Sequence, residues 1–240
     1  MTKSVVEVDL PSVLLVHGAW HRPDHFRLLV DELSDVDVHT VRLASSGDDP
    51  AALGDMYADA EVIARAAAAI DGPVVVVAHS YGGIPTTQAL TNARNVQRII
   101  YLAAFQLRAG ESLLSINGGA LMPWTRRHRR DGVGDYVEAM TPMTVFYDDV
   151  ETATAQSAIA QLGYQSYASK QQPLTQTAWQ TIPSTYVICE ADKAIPVATQ
   201  EMFAQRADDI QRLSSSHSPF LSQPAELACL IRRSLGGSDD

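Results

Sequence analysis

The chain has 240 residues, 46% of them hydrophobic, enough for one domain-sized core with room for a small insertion. Lysine and arginine number 18 against 28 aspartates and glutamates, and the formal charge of −10 repels nucleic-acid phosphates and anionic lipid. No apolar run approaches the roughly 20 residues that span a bilayer, and the first residues lack the basic-then-apolar order of a secretory signal, so a cytoplasmic protein with neither nucleic acid nor membrane as partner is expected.

In chain order, after a weak edge candidate at 5–8, β-branched runs at 13–17, 36–42, 74–78, 96–103, 184–189 and 210–213 read as short strands. Helical stretches at 25–33, 56–70, 84–92, 197–207 and 225–235 alternate with them, several opened by Pro or Asp in the first turn. That alternation predicts an α/β architecture: a mostly parallel central sheet with helices on both faces. The rhythm stops after Phe105, where Gly, Pro, Met and aromatic residues mix with helical stretches and no strand-like run stands out. The reading is a core of 1–106 and 182–240 with an inserted cap, 107–181, over the carboxyl ends of the strands, where open α/β sheets bind ligands. Cys189 and Cys229 are too few for a disulfide framework or a zinc site and, set among apolar residues, read as buried thiols.

The strongest chemical signal is Ala78-His79-Ser80-Tyr81-Gly82-Gly83, directly after a Val-Val-Val-Val strand and directly before a helix. A sharp strand-to-helix turn lifts a serine hydroxyl off the sheet end and leaves room only for small residues two positions either side. Gly82 meets that requirement, and Ala78 departs from the usual glycine by one methyl. A serine needs a base, and His217, in Ser-Ser-Ser-His-Ser-Pro between the last strand and the last helix, falls on a loop at the same sheet end. His17 and His79 read as loop braces, and His21, His25, His39 and His128 as ordinary. The base needs an acid to orient it: Asp192, two residues beyond the strand ending at Cys189, is favoured, with Glu190 as the fallback. The order Ser80, Asp192, His217 is that of α/β-hydrolases. The backbone N–H groups of Ala19, after the first core strand, and of Tyr81 are the expected oxyanion donors.

With Val-Leu-Leu-Val-His-Gly-Ala-Trp from Val13, Leu-Ala-Ser-Ser-Gly from Leu43, Tyr-Leu-Ala-Ala-Phe from Tyr101 and Tyr-Val-Ile-Cys-Glu-Ala-Asp-Lys from Tyr186, the chain resembles the α/β-hydrolase branch that holds plant methyl esterases, hydroxynitrile lyases and small bacterial esterases. The resemblance implies an α/β-hydrolase fold, Asp192 rather than Glu190 as the acid, and a mostly helical cap over a small apolar pocket. Trp20, Trp124, Phe146 and Tyr164 are the candidates to line that pocket. The resemblance also implies a choice within the branch. The lyases carry a threonine in the oxyanion loop and a lysine after the catalytic histidine, where Gly18 and Ser218 stand here, leaving no obvious cation for departing cyanide. Ester hydrolysis through an acyl-enzyme, on a small-molecule ester and without metal or organic cofactor, is therefore expected. The alternatives are a lyase or carbon–carbon hydrolase using the same residues, and a non-catalytic receptor on the same scaffold. Arg126, Arg127, Arg129 and Arg130 around His128 read as a solvated basic face.

Overall fold

The computed structural model describes residues 10–129 and 131–236, so the strand candidate at 5–8 and Arg130 lie outside the described residues. Six strands form the core sheet: β1 (Ser12–Val16), β2 (Val38–Val41), β4 (Val74–His79), β5 (Val96–Leu102), β9 (Ser184–Cys189) and β10 (Asp209–Leu213). They lie in the order β10-β9-β5-β4-β1-β2 and every pairing among them is parallel. Neighbours on both sides explain why β4 reads as an unbroken Val run, because a central parallel strand is buried on both faces.

Period-two alternation divides the core into two layers. Leu14, Val16, Val76 and Ala78 face one cluster, which also takes Met56 and Ile63 from α2 (Met56–Ala68) and Ile84 from α3 (Gly83–Ala89). Val13, Leu15, Val75 and Val77 face the other, filled by Leu29 of α1 (Arg27–Glu32) and by Leu227, Ile231 and Leu235 of α10 (Pro224–Leu235). Along α10 the residues that turn inward are Leu227, Ala228, Ile231 and Leu235, which leaves Cys229 on the solvent side; it is exposed, and only Cys189 is buried as expected.

The segment between β5 and β9 contains α4 (Leu113–Ile116), α5 (Pro142–Phe146), α6 (Thr152–Ala160) and α7 (Ala168–Gln171). It also contains strands that the sequence pattern did not disclose. β6 (Thr125–His128), β7 (Tyr136–Ala139) and β8 (Tyr164–Ser166) form an antiparallel sheet, completed by the two-residue β3 (Ser46–Gly47). Two arginines, a histidine and a glutamate occupy these short half-exposed strands, so no apolar period marks them. The remaining helices are α8 (Val197–Ala204) and α9 (Pro219–Ser222). No helix among the described residues is long and apolar enough to cross a membrane.

Candidate active site

In the strand order, the connection from β1 runs to one side, to β2, while β4 and β5 build on the other, so the sheet reverses direction between β1 and β4. A crevice opens at the carboxyl ends of strands flanking such a switch. Ser80 follows β4 there and Ala19 follows β1.

Ser80 sits in the left-handed region at φ 54°, a conformation costly for a residue with a Cβ and typical of strained functional turns. The neighbouring glycines make that turn possible. A Cβ on Gly82 would lie 2.6 Å from the His17 carbonyl oxygen, and one on Gly18 would lie 2.9 Å from both His79 Nδ1 and Ser80 Cβ. The Phe105 N–H donates to the Ser80 carbonyl at 3.1 Å and fixes the turn from the far side.

A hydrogen-bonded line leads away from the Ser80 hydroxyl. Oγ donates to His217 Nε2 at 3.0 Å, and His217 Nδ1 donates to Asp192 Oδ2 at 2.8 Å. His217 is 1% exposed, and Asp192 is buried. The carboxylate is held from several sides: Oδ1 accepts from the Ala194 and Ile195 amides at 2.7 and 3.0 Å, and Oδ2 from Gln200 Nε2 at 3.0 Å. Gln200, on α8, was not singled out in the sequence; this short helix has no clear apolar period to mark which face turns inward. Glu190, the fallback acid, is exposed and accepts from Ser214 Oγ at 3.0 Å instead. The His217 loop is laced to the β9 turn through Ala191 N–H to the Ser215 carbonyl. It is also tied to the segment between β5 and β9, because Asp149 accepts from both the Ser216 amide and the Ser216 hydroxyl. A hydroxyl, imidazole and carboxylate in this order can pass a proton from the hydroxyl to the ring as the oxygen attacks.

Three other histidines are buried close by. His17 Nδ1 donates to the Gly18 carbonyl and Nε2 accepts from the Leu43 amide, and burial pulls it down to about 4, so it stays neutral. His79 Nε2 donates to the His217 carbonyl at 2.9 Å, and its burial together with the neighbouring imidazole also disfavours the cation. His21, read as ordinary, is buried under the site: Nδ1 donates to the Ala19 carbonyl and Nε2 accepts from the Tyr147 hydroxyl. The Ala19 amide has no protein acceptor among the described residues.

Beside Ser80 lies a cleft with about 390 Å³ of space free of atoms, its open mouth included. Trp20, Phe105, Leu121, Met122, Trp124 and Ile195 supply most of its apolar wall. Trp20 and Trp124 therefore line it, their rings edge to face at 5.5 Å. Phe146 stands behind them, 5.8 Å from Trp20 and 5.5 Å from the His217 ring. Tyr164 is elsewhere: on β8 it packs against Tyr136, outside the cleft, because the strand pairing turns it to that side.

Two buried charges at the site were not foreseen. Asp59, on α2, accepts from the Ser45 amide at 2.8 Å and from the Tyr81 hydroxyl at 2.7 Å, and burial raises its carboxyl to about 6. Its spacing from Met56 and Ile63 on the inward face of α2 was the available signal. Lys170, on α7, lines the cleft at 2% exposure, which overturns the expectation that the site lacks a cation. Arg127, of the basic run, pairs with Asp135 and lies over the Tyr167 ring.

A family model described as the alpha/beta hydrolase family matches residues 13–228. The chain is 32% identical over 247 residues to the alpha/beta hydrolase nvfD of Aspergillus novofumigatus, covering 94% of this chain and 97% of that one. Its backbone is similar to polyneuridine aldehyde esterase, with a TM-score of 0.80 at 20% identity over 94% of this chain and 99% of the other. A methylesterase from Arabidopsis gives a TM-score of 0.79 at 19% identity over 94% and 98%.

Proposed function

Because the chain belongs to the alpha/beta hydrolase family, we propose that it is a serine esterase that cleaves a small carboxylic ester through an acyl-enzyme. The observation that carries this reading is the buried line from Ser80 Oγ through His217 to Asp192, ending beside an apolar cleft. His217 takes the Ser80 proton as Oγ attacks the ester carbonyl, and the Ala19 and Tyr81 amides receive the negative oxygen. The alcohol leaves with the proton from His217, and a water molecule, deprotonated by the same imidazole, releases the acid. Asp192, already fixed by two amides and Gln200, holds the imidazole tautomer and balances the imidazolium formed in each half. Trp20 and Trp124 border the space where the ester's apolar part lies.

The test is hydrolysis of p-nitrophenyl esters of increasing acyl length by the wild type, Ser80→Ala and His217→Ala. The expected result is turnover by the wild type alone, with kcat in each variant lower by about 10⁴-fold or more, and the preferred acyl length measures the depth of the cleft. Variants that retain turnover, or a folded wild type inert toward every ester in the series, would remove this reading.

A further inference from the structure

Of the residues that line the cleft beside Ser80, only Lys170 carries a formal charge at neutral pH when it is protonated. Its Nζ lies 4.5 Å from the centroid of the Trp20 ring and 4.6 Å from that of Tyr81, both of which share the cleft wall. Among the described residues Nζ has no hydrogen bond and no ion pair. Asp59 is the nearby acid, but it lies beyond ion-pair reach and its oxygens are occupied by Ser45 and Tyr81. A buried ammonium ordinarily has a carboxylate or several carbonyls around it, because desolvation without a partner is costly. Two aromatic faces partly replace water, yet they accept no hydrogen bond as strong as an anionic oxygen does.

We propose that Lys170 anchors a carboxylate carried by the substrate, so that the preferred ester is a half-ester of a dicarboxylic acid with its free carboxylate at the Lys170 end of the cleft and its ester carbonyl at Ser80. This rests on the esterase reading of Ser80. One ammonium matches one negative charge, and the lining holds no second cation to balance a phosphate dianion. The acidic surface of the chain does not draw anions in from a distance, so the preference arises inside the cleft. The position of the amine explains its titration as well: burial pulls the ammonium down from 10.5 to about 7, and an arriving carboxylate restores the charged form.

The experiment compares monomethyl succinate and monomethyl glutarate with their isosteric neutral amides, in the wild type and in Lys170→Met, with p-nitrophenyl acetate alongside. The wild type is expected to favour each carboxylate over its amide by at least about tenfold in kcat/KM, and Lys170→Met to lower that ratio by at least about tenfold. A wild-type ratio near one, or a ratio that Lys170→Met leaves unchanged while both substrates slow together, would overturn the assignment and leave Lys170 a structural residue. Turnover of p-nitrophenyl acetate without carboxylate preference sinks this inference alone, whereas no turnover of any ester sinks the esterase reading and this inference with it. Should Lys170→Met fail to fold, inhibition of the wild type decides: glutarate is expected to compete with p-nitrophenyl acetate at least about tenfold more tightly than glutaramide, and equal inhibition would overturn the proposal.

Discussion

At the Ser80 end of the cleft the polar groups form a closed set: hydroxyl to imidazole, imidazole to carboxylate, carboxylate to two amides and Gln200. At the Lys170 end an ammonium faces two aromatic rings and, among the described residues, has no hydrogen bond or ion pair. Both ends are buried, so the difference lies in where each expects its counter-charge. On the proposed esterase reading, the first is organised around charge that appears and disappears during a reaction, and its dipoles are set in advance. The second holds a group whose charge is suppressed by burial until something arrives to balance it.

The sharpest way to break the first end is to disturb the acid without moving it. Asp192→Asn keeps the shape but presents an amide to His217 Nδ1, and kcat is expected to fall by about 10⁴-fold with little change in KM. A loss below tenfold, measured on any turned-over ester, would mean that the line from Ser80 to Asp192 is not a working unit.

At the second end the largest effect is on stability. The Lys170 ammonium is lowered in the folded state, so its penalty operates below the folded value near 7 and persists until pH approaches 10.5, where the unfolded chain also loses the proton. Lys170→Met is expected to raise the unfolding free energy at pH 7 by up to about 4 kcal/mol, and by progressively less toward pH 10. Urea denaturation at both pH values measures this. Asp59 has the opposite sign. Its carboxyl is raised to about 6, so its contribution is intact below the unfolded value of 3.8 and is lost as pH rises through 6. Relative to Asp59→Asn, the wild type should lose about 2.5 kcal/mol of unfolding free energy between pH 4 and pH 7; parallel curves for the two proteins would contradict it.

The smallest effect tests the tie between Asp149 and the His217 loop. Asp149→Ala leaves the Ser216 amide and hydroxyl without their acceptor, and should cost about 2 kcal/mol of stability. Because Ser216 precedes His217, kcat should fall as well, by roughly tenfold, while KM moves little.

The two ends also differ in how far they were legible in the chain. Backbone constraints leave traces in residue type, so Gly82 and Ala78 announced a crowded turn around Ser80, and unbroken Val runs announced central parallel strands. The loops carrying Asp192 and His217 followed from strand order. Lys170 left no such trace. It belongs to a four-residue helix, and its burial depends on Trp20 and Tyr81 being brought to it from distant parts of the chain. The strands β6, β7 and β8 were hidden for a related reason: they pair with one another across a half-exposed sheet, and their identity comes from partners, not from an internal period. Cys229 shows the limit of reading apolar neighbours on a helix, since one position further along α10 turns the side chain by about 100° and out to solvent.

The crowding at Gly18 also limits how this site can change by single replacements. Any side chain there meets His79 and Ser80 at once, and of those two only residue 79 can shrink without discarding the hydroxyl. Shrinking residue 79 removes one obstacle and leaves Ser80 Cβ at 2.9 Å, so position 18 stays closed for as long as the hydroxyl at 80 is kept. A library that diversifies 18, alone or together with 79, should therefore return glycine wherever the hydroxyl at 80 is kept, so a descendant of this chain varies its site at other positions.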